Sequence, residues 1–197
     1  MPTEDIAACK ESHQRLHQTL RDMDDAFARR PSRLPGWTNG HLVTHLARNA
    51  DTVVRRLDAA LAGHVVDMYE GGPPARAAAI EAGAGRPASD LLVDLISADD
   101  AVEAMFDSVP ESVWEVAVRF RGTDEAPAAE LVWNRTREVE IHLVDLDVGY
   151  APADWPQSLV DRWLPELLAD LPVRADRRDV MAWLLGRGNP PSLGPWG

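Results

Sequence analysis

The stretch W-N-R-T-R-E-V-E-I-H-L-V-D-L-D-V-G, Trp133 to Gly149, constrains this chain more than any other. On a helix, Glu138 and His142 are four residues apart and stand one above the other on a single face. That face extends back to Leu131 and on to Asp145, while Val139, Ile141, Leu143, Val144 and Leu146 cover most of the remaining circumference. The helix is therefore expected to be largely buried. A carboxylate and an imidazole on a buried helix need a partner, because an unpaired polar group is unfavourable away from water. The partner expected is a metal ion, with a third ligand, His45, from a second helix far away in sequence.

Other segments supply the walls around this helix. Apolar positions at Ile6, Cys9, Leu16, Leu20, Met23 and Phe27, with His13 filling the gap in their rhythm, predict one amphipathic helix over 3–28. Pro31, Pro35 and Gly36 break it. Thr38 reads as the N-cap of a second helix that runs to about Ala62 and stops at Gly63. Its apolar stripe is Leu42, Leu46, Val53, Leu57 and Ala60, with His45, Asn49 and Arg56 lying along or beside it. A short alanine-rich helix over 75–81 follows, then a long one from about Pro87 to Ser108. Residues 113–121 alternate weakly and predict a short strand or an extended connection, before a helix over about 127–148 that carries the opening motif. Four long amphipathic helices with metal ligands on facing members predict a mainly all-α chain built as a four-helix bundle.

The composition shifts at A-P-A-D-W-P, which predicts a boundary near 150. Beyond it the pattern reads as a short helix over 158–171 interrupted by Pro165, a brief strand at L-P-V-R-A, and a last helix capped by Asp176. The 151–197 segment is too short for an independent core, so it is expected to be a reduced α/β appendage packed on the bundle. Trp183 and Trp196 are the residues expected to hold it down.

Charge narrows the partners. With 20 basic and 32 acidic residues the formal charge is −12, which argues against nucleic acid and against an anionic membrane surface. Cys9 is the single cysteine, so an internal disulfide and a thiolate zinc finger are excluded. The opening M-P-T-E-D-I has neither the basic start nor the apolar core of a signal peptide, and no apolar run reaches a membrane span. The expected setting is cytoplasmic, as a monomer or a homodimer.

Two imidazoles and a carboxylate, leaving one position open, are the donor set of a catalytic zinc. His45, Glu138 and His142 provide it. Alone, Glu-x-x-x-His is commonly a helix-surface pair, and a lone buried histidine is commonly just hydrogen-bonded in a core. His41 is a rival to His45, with a capping or supporting role preferred because it lies in the first helical turn. Glu140 points off the Glu138/His142 face and reads as a solvated charge. Asp145 either orients the His142 imidazole or is an ordinary surface acid. Cys9 reads as a buried structural thiol, with no base nearby. Arg187, in W-L-L-G-R, is either a helix-end cation or a guanidinium that binds a carboxylate.

The segments L-P-G-W-T-N-G-H-L-V-T-H-L-A-R-N-A-D, Leu34 to Asp51, and R-E-V-E-I-H-L-V-D-L, Arg137 to Leu146, resemble the mycothiol-dependent maleylpyruvate isomerase family. The resemblance covers roughly the first 150 positions, and the ending around Arg187 is also similar. It implies a DinB-like metal-binding bundle with zinc, or another divalent metal, on His45, Glu138 and His142. It implies a functional arginine at Arg187 and a low-molecular-weight thiol, mycothiol, as cosubstrate. The tail is shorter here than the α/β domain of typical members. The implied reaction is cis–trans isomerisation of maleylpyruvate to fumarylpyruvate, or of a similar unsaturated acid, by reversible addition of a metal-bound thiolate. Two further readings remain open: a mycothiol S-transferase acting on an electrophile, and a non-catalytic helical binding module.

Overall fold

In the computed structural model, residues 1–120, 122 and 124–193 are described. Trp196 lies outside the described residues. The chain divides into two units, Met1–Ala151 and Pro152–Gly197.

The first unit is built on α1 (Thr3–Leu20), α2 (Asp25–Arg29), α3 (Asn39–Leu61), α4 (Gly72–Ala84), α5 (Ala88–Ser108) and α6 (Glu130–Asp145). The long helices α1, α3, α5 and α6 make the bundle; α3 packs on α4, α5 and α6, and α1 packs on α5 and α6. Leu16, Leu42, Leu46, Leu57, Leu95, Phe106, Leu131, Val139 and Leu143 form the centre of the core, with no exposed side-chain surface. Between α5 and α6 lies a hairpin of β1 (Ala117–Arg119) and β2 (Glu125–Pro127), antiparallel with Val118 opposite Ala126. It begins just after a 3-10 helix, Glu111–Glu115, so only the middle of the expected 113–121 segment is strand.

The expected single helix over 3–28 is two. Asp24 accepts the Phe27 N–H at 2.7 Å and starts a new helix, a local cap that outweighs the continuing apolar rhythm. α3 follows the expectation closely. It ends in a Schellman arrangement: His64 N–H donates to Ala59 O at 2.8 Å, Gly63 N–H donates to Ala60 O at 3.1 Å, and Gly63 sits at φ +75°. The opening motif is helical over a shorter span than 127–148, because Pro127 belongs to β2 and Asp147 already has φ +54°.

Helix α4 is longer than the alanine-rich 75–81 and approaches α3 closely. A Cβ on Gly40 would run into the Ala84 carbonyl, and one on Gly83 would run into the Thr44 side chain. Two glycines thus let α4 lie against the first turns of α3, where His41 and His45 are.

The second unit, through residue 193, contains a 3-10 turn (Pro152–Asp154), α7 (Gln157–Arg174) and α8 (Arg177–Leu184). The strand expected at 171–175 is instead the end of α7, which also continues through Pro165. Pro165 and Pro172 each remove one backbone donor, and neither ends the helix. Asp176 caps α8 as expected, accepting the Arg178 N–H at 2.8 Å. Trp183, expected as an anchor, keeps 36% of its surface exposed. No helix among the described residues is long and apolar enough to cross a membrane.

Candidate metal centre

Helices α3 and α6 bring His45, Glu138 and His142 together, each offering a donor atom within 4.8 Å of the others. Glu138 Oε2 is 3.1 Å from His45 Nε2 and 3.6 Å from His142 Nε2. A tetrahedral ion with bonds of about 2.1 Å places its ligand atoms about 3.4 Å apart, so these spacings suit one. The His45 side chain is 5% exposed, whereas His142 keeps 13% and Glu138 20%, so the cluster is open on the α6 side.

Hydrogen-bond partners determine the protonation of each ring without a metal. His142 lies between two carboxylates, with Nδ1 2.9 Å from Asp145 Oδ2 and Nε2 facing Glu138, so both nitrogens carry protons. Burial opposes that charge most strongly, yet Asp145 and Glu138 outweigh it and raise the pKa to about 8. His45 is the opposite case. Its Nδ1 accepts from Arg76 Nη2 at 3.2 Å, so its proton is on Nε2 and is donated to Glu138. Burial, chiefly, lowers the His45 pKa to about 4. Burial alone would raise the Glu138 carboxyl, but the two imidazoles hold it well below its ordinary value.

The neighbouring candidates sort themselves by geometry. His41 Nδ1 accepts the Thr38 N–H at 3.1 Å, and its Nε2 faces Glu81 Oε2 at 3.2 Å, so it serves the start of α3 and stands outside the cluster. Asp145 orients His142. Arg187 is exposed at the end of α8, where it donates to the carbonyls of Leu185 at 3.1 Å and Gly186 at 3.5 Å.

Glu140 contradicts its solvated reading. It is fully buried, accepting from Ser12 Oγ at 2.6 Å, Arg15 Nη2 at 2.5 Å and the Tyr150 hydroxyl at 2.5 Å. α1 covers that face of α6, and a helix enclosed on two sides has no solvated face there. Cys9 is buried as expected, but a possible base is close: His13 Nε2 lies 3.8 Å from its Sγ. Burial above all pushes the thiol up to about 12, so the pair holds no thiolate near neutral pH.

Several residues near these clusters went unrecognised in the sequence. Trp37 sits edge-on to His45 with centroids 5.6 Å apart, and Arg76 lies over both Trp37, at 5.9 Å, and Tyr69, at 5.5 Å. Trp37 stood beside the cap residue Thr38, a usable signal; Arg76 sat in an alanine run with none. A second polar cluster also fills the bundle interior. Arg135, on α6 and wholly buried, donates to Asp99 Oδ1 at 2.5 Å, Asn49 Oδ1 at 2.8 Å, Leu46 O at 3.0 Å and His13 Nε2 at 3.2 Å. Asp99 also meets His17 Nε2 at 2.9 Å, and His13 Nδ1 meets Glu103 at 2.9 Å.

Comparison with known proteins agrees with this architecture. The crystal structure of a mycothiol-dependent maleylpyruvate isomerase superposes with a TM-score of 0.80 at 26% identity, over 84% of this chain and 69% of that one. A histidine-to-alanine mutant of such an enzyme gives the same figures. YfiT from Bacillus subtilis, described as a probable metal-dependent hydrolase with an unusual four-helix bundle topology, matches in fold with a TM-score of 0.58 at 16% identity, over 76% of this chain and 89% of that one. No curated protein matches. The family model for the mycothiol maleylpyruvate isomerase N-terminal domain matches residues 9–147, which run from within α1 through α6 and take in both sides of the candidate metal cluster, and the chain belongs to that family.

Proposed function

We propose that the protein is a zinc- and mycothiol-dependent cis–trans isomerase of maleylpyruvate or a closely similar unsaturated acid. The observation that carries this reading is the convergence of His45, Glu138 and His142, within a chain of this family, on a cluster with one open side. The donor set fits a divalent ion: two imidazoles that can be neutral, one carboxylate, and Asp145 holding the outer nitrogen of one ring. A metal bound there supplies the positive charge that keeps a thiol ionised near neutral pH.

The sulfur comes from outside the chain, because Cys9 is fully buried and its thiol is held protonated. A thiolate adding to the alkene carbon β to the carbonyl turns the double bond into a single bond and moves an electron pair onto the enolate oxygen. Rotation and expulsion of the same thiolate return that pair and leave the trans alkene, with the thiol unchanged. His45, Glu138 and His142 hold the site, and Arg187 takes a carboxylate or a cofactor group.

Incubation with maleylpyruvate, with and without mycothiol, followed by ultraviolet absorbance tests the reading. Isomerisation that requires the thiol and leaves it unconsumed is the expected result; a stable thioether or an unchanged acid would overturn it. Arg187→Ala should lose most turnover while keeping zinc, and unchanged turnover would make Arg187 only a helix end.

A further inference from the structure

The guanidinium of Arg76 is out of keeping with its surroundings. The protein carries a formal charge of −12, yet among the described residues no carboxylate lies within 4.0 Å of Arg76. Its hydrogen-bond partner is His45 Nδ1, a neutral nitrogen, at 3.2 Å. Trp37 and Tyr69 lie within 6 Å of its centre, which keeps the cation in place through its flat faces and leaves N–H edges for another group. Beside it is a second cation of the same kind. Arg56 is 1% exposed, and its donors go to Thr52 O, Thr52 Oγ1 and Arg119 O, all uncharged oxygens. It is near enough to Glu138 to feel the charge of that carboxylate. Neither guanidinium is paired with a carboxylate, although Glu138 lies in the same cluster, and N–H edges left without an anionic partner suit an anionic ligand.

Metal binding sharpens the mismatch. An imidazole that ligates through Nε2 carries its proton on Nδ1. His45 turns Nε2 toward Glu138 and Nδ1 toward Arg76, so ligation through Nε2 sets an N–H donor against an N–H donor. The contact between His45 and Arg76 then ceases to be attractive, and the guanidinium is left with its aromatic neighbours and no polar partner.

We infer that Arg76 is the anion receptor of the metal centre, exchanging His45 for a carboxylate of the bound acid. This rests on the isomerase reading for the identity of the acid, and it deepens that reading. Maleylpyruvate is a dicarboxylate, so the bound acid has a carboxylate for Arg76 to meet. α4 presents Arg76 to α3 because Gly40 and Gly83 permit the close approach.

The test uses the full-length zinc-loaded protein and maleate, a dicarboxylate probe whose binding is read by calorimetry without turnover. Arg76→Gln should weaken maleate at least ~10-fold, the scale of one charged hydrogen bond, while Arg76→Lys retains part of the affinity. The neutral diamide of maleic acid should bind the wild-type and Arg76→Gln proteins equally weakly. Zinc affinity should be unchanged or tighter in Arg76→Gln. Equal maleate affinity in the two proteins, no maleate binding by the wild type, or a zinc affinity weakened ~10-fold in the variant would each overturn the inference, the last by making Arg76 a support for His45. Failure of the two readings can be told apart. Wild-type protein that binds maleate through Arg76 but does not isomerise maleylpyruvate sinks the isomerase, whereas isomerisation with maleate affinity independent of Arg76 sinks only the receptor.

Discussion

Two clusters of histidine and carboxylate lie inside the same bundle, three positions apart on α6, and they are finished differently. Around Arg135 the protein provides its own cation, and the guanidinium meets Asp99, Asn49, His13 and a backbone carbonyl. Around Glu138 no guanidinium reaches the centre, and the positive partner is the protonated His142 ring. The two imidazoles face the carboxylate with one side open, and the nearest guanidinium, Arg76, stays at the rim on His45 Nδ1. A buried carboxylate needs a positive partner in either case. The first cluster is closed by the chain and is structural; the second keeps one side open and is the candidate for metal binding and for chemistry.

The contrast can be broken most sharply by His45→Ala. The variant should lose stoichiometric zinc, measured by metal analysis after mild dialysis, with little change in the stability of the metal-free protein. Full metal retention would mean that His45 is not a ligand. In the closed cluster the same kind of deletion should act on folding. Arg135→Met leaves Asp99 buried without its main partner and should cost about 3–5 kcal/mol in urea unfolding, with no direct effect on zinc. A cost under about 1 kcal/mol would mean that the cluster is not closed by Arg135.

Acidity sharpens the comparison at the next scale. Burial acts against the ionised Asp99, but Arg135, His17 and His13 outweigh it and hold the carboxyl at about 2. Its stabilising effect, on the order of 2 kcal/mol, is thus present above the unfolded value near 4 and is lost as pH falls through about 2. His13, lowered mainly by burial, adds to the same acid limb, since below about pH 6.5 the unfolded chain takes up a proton that the folded one resists. His45 and Glu138 act in that direction too. His142 is the opposite case: its pKa is raised to about 8, so its contribution is full below the unfolded value and disappears as pH rises through about 8. Urea midpoints of the metal-free protein against pH should show an alkaline limb that His142→Gln removes and Arg135→Met leaves. Zinc binding near pH 7 should also release about one proton, read by calorimetry in buffers of different ionisation enthalpy. Release of none would mean that His142 is already neutral. The smallest effect expected is for Tyr150→Phe, which removes one hydroxyl donor from Glu140 and should cost about 1 kcal/mol in the same unfolding assay.

The cluster of His45, Glu138 and His142 was legible because its signal is local twice over. Glu138 and His142 share a face by helical periodicity, and His45 breaks an apolar stripe that otherwise predicts burial. Arg76 and Asp99 gave no comparable signal. Arg76 sits among alanines on a short helix, and its place beside His45 depends on how closely α4 approaches α3. Asp99 follows an alanine on the buried side of α5 and is one of two adjacent aspartates, of which only the structure buries one. Glu140 was misread for the same reason. Its angle away from Glu138 follows from the helix, but whether that side meets water or α1 does not.

By itself the sequence determined the helices of the bundle, the caps at Thr38 and Asp176, the stop at Gly63 and the family motif, all of which depend on residues within a few turns of one another. The tertiary structure decided which charges are closed off and which are left open. Arg135 and Arg76 are the same side chain in the same protein, and their different standing comes from what other helices bring to them: Asp99 and Asn49 to one, a neutral imidazole and two aromatic rings to the other. Electrostatic partnership is a property of positions in space, and chain order does not carry it.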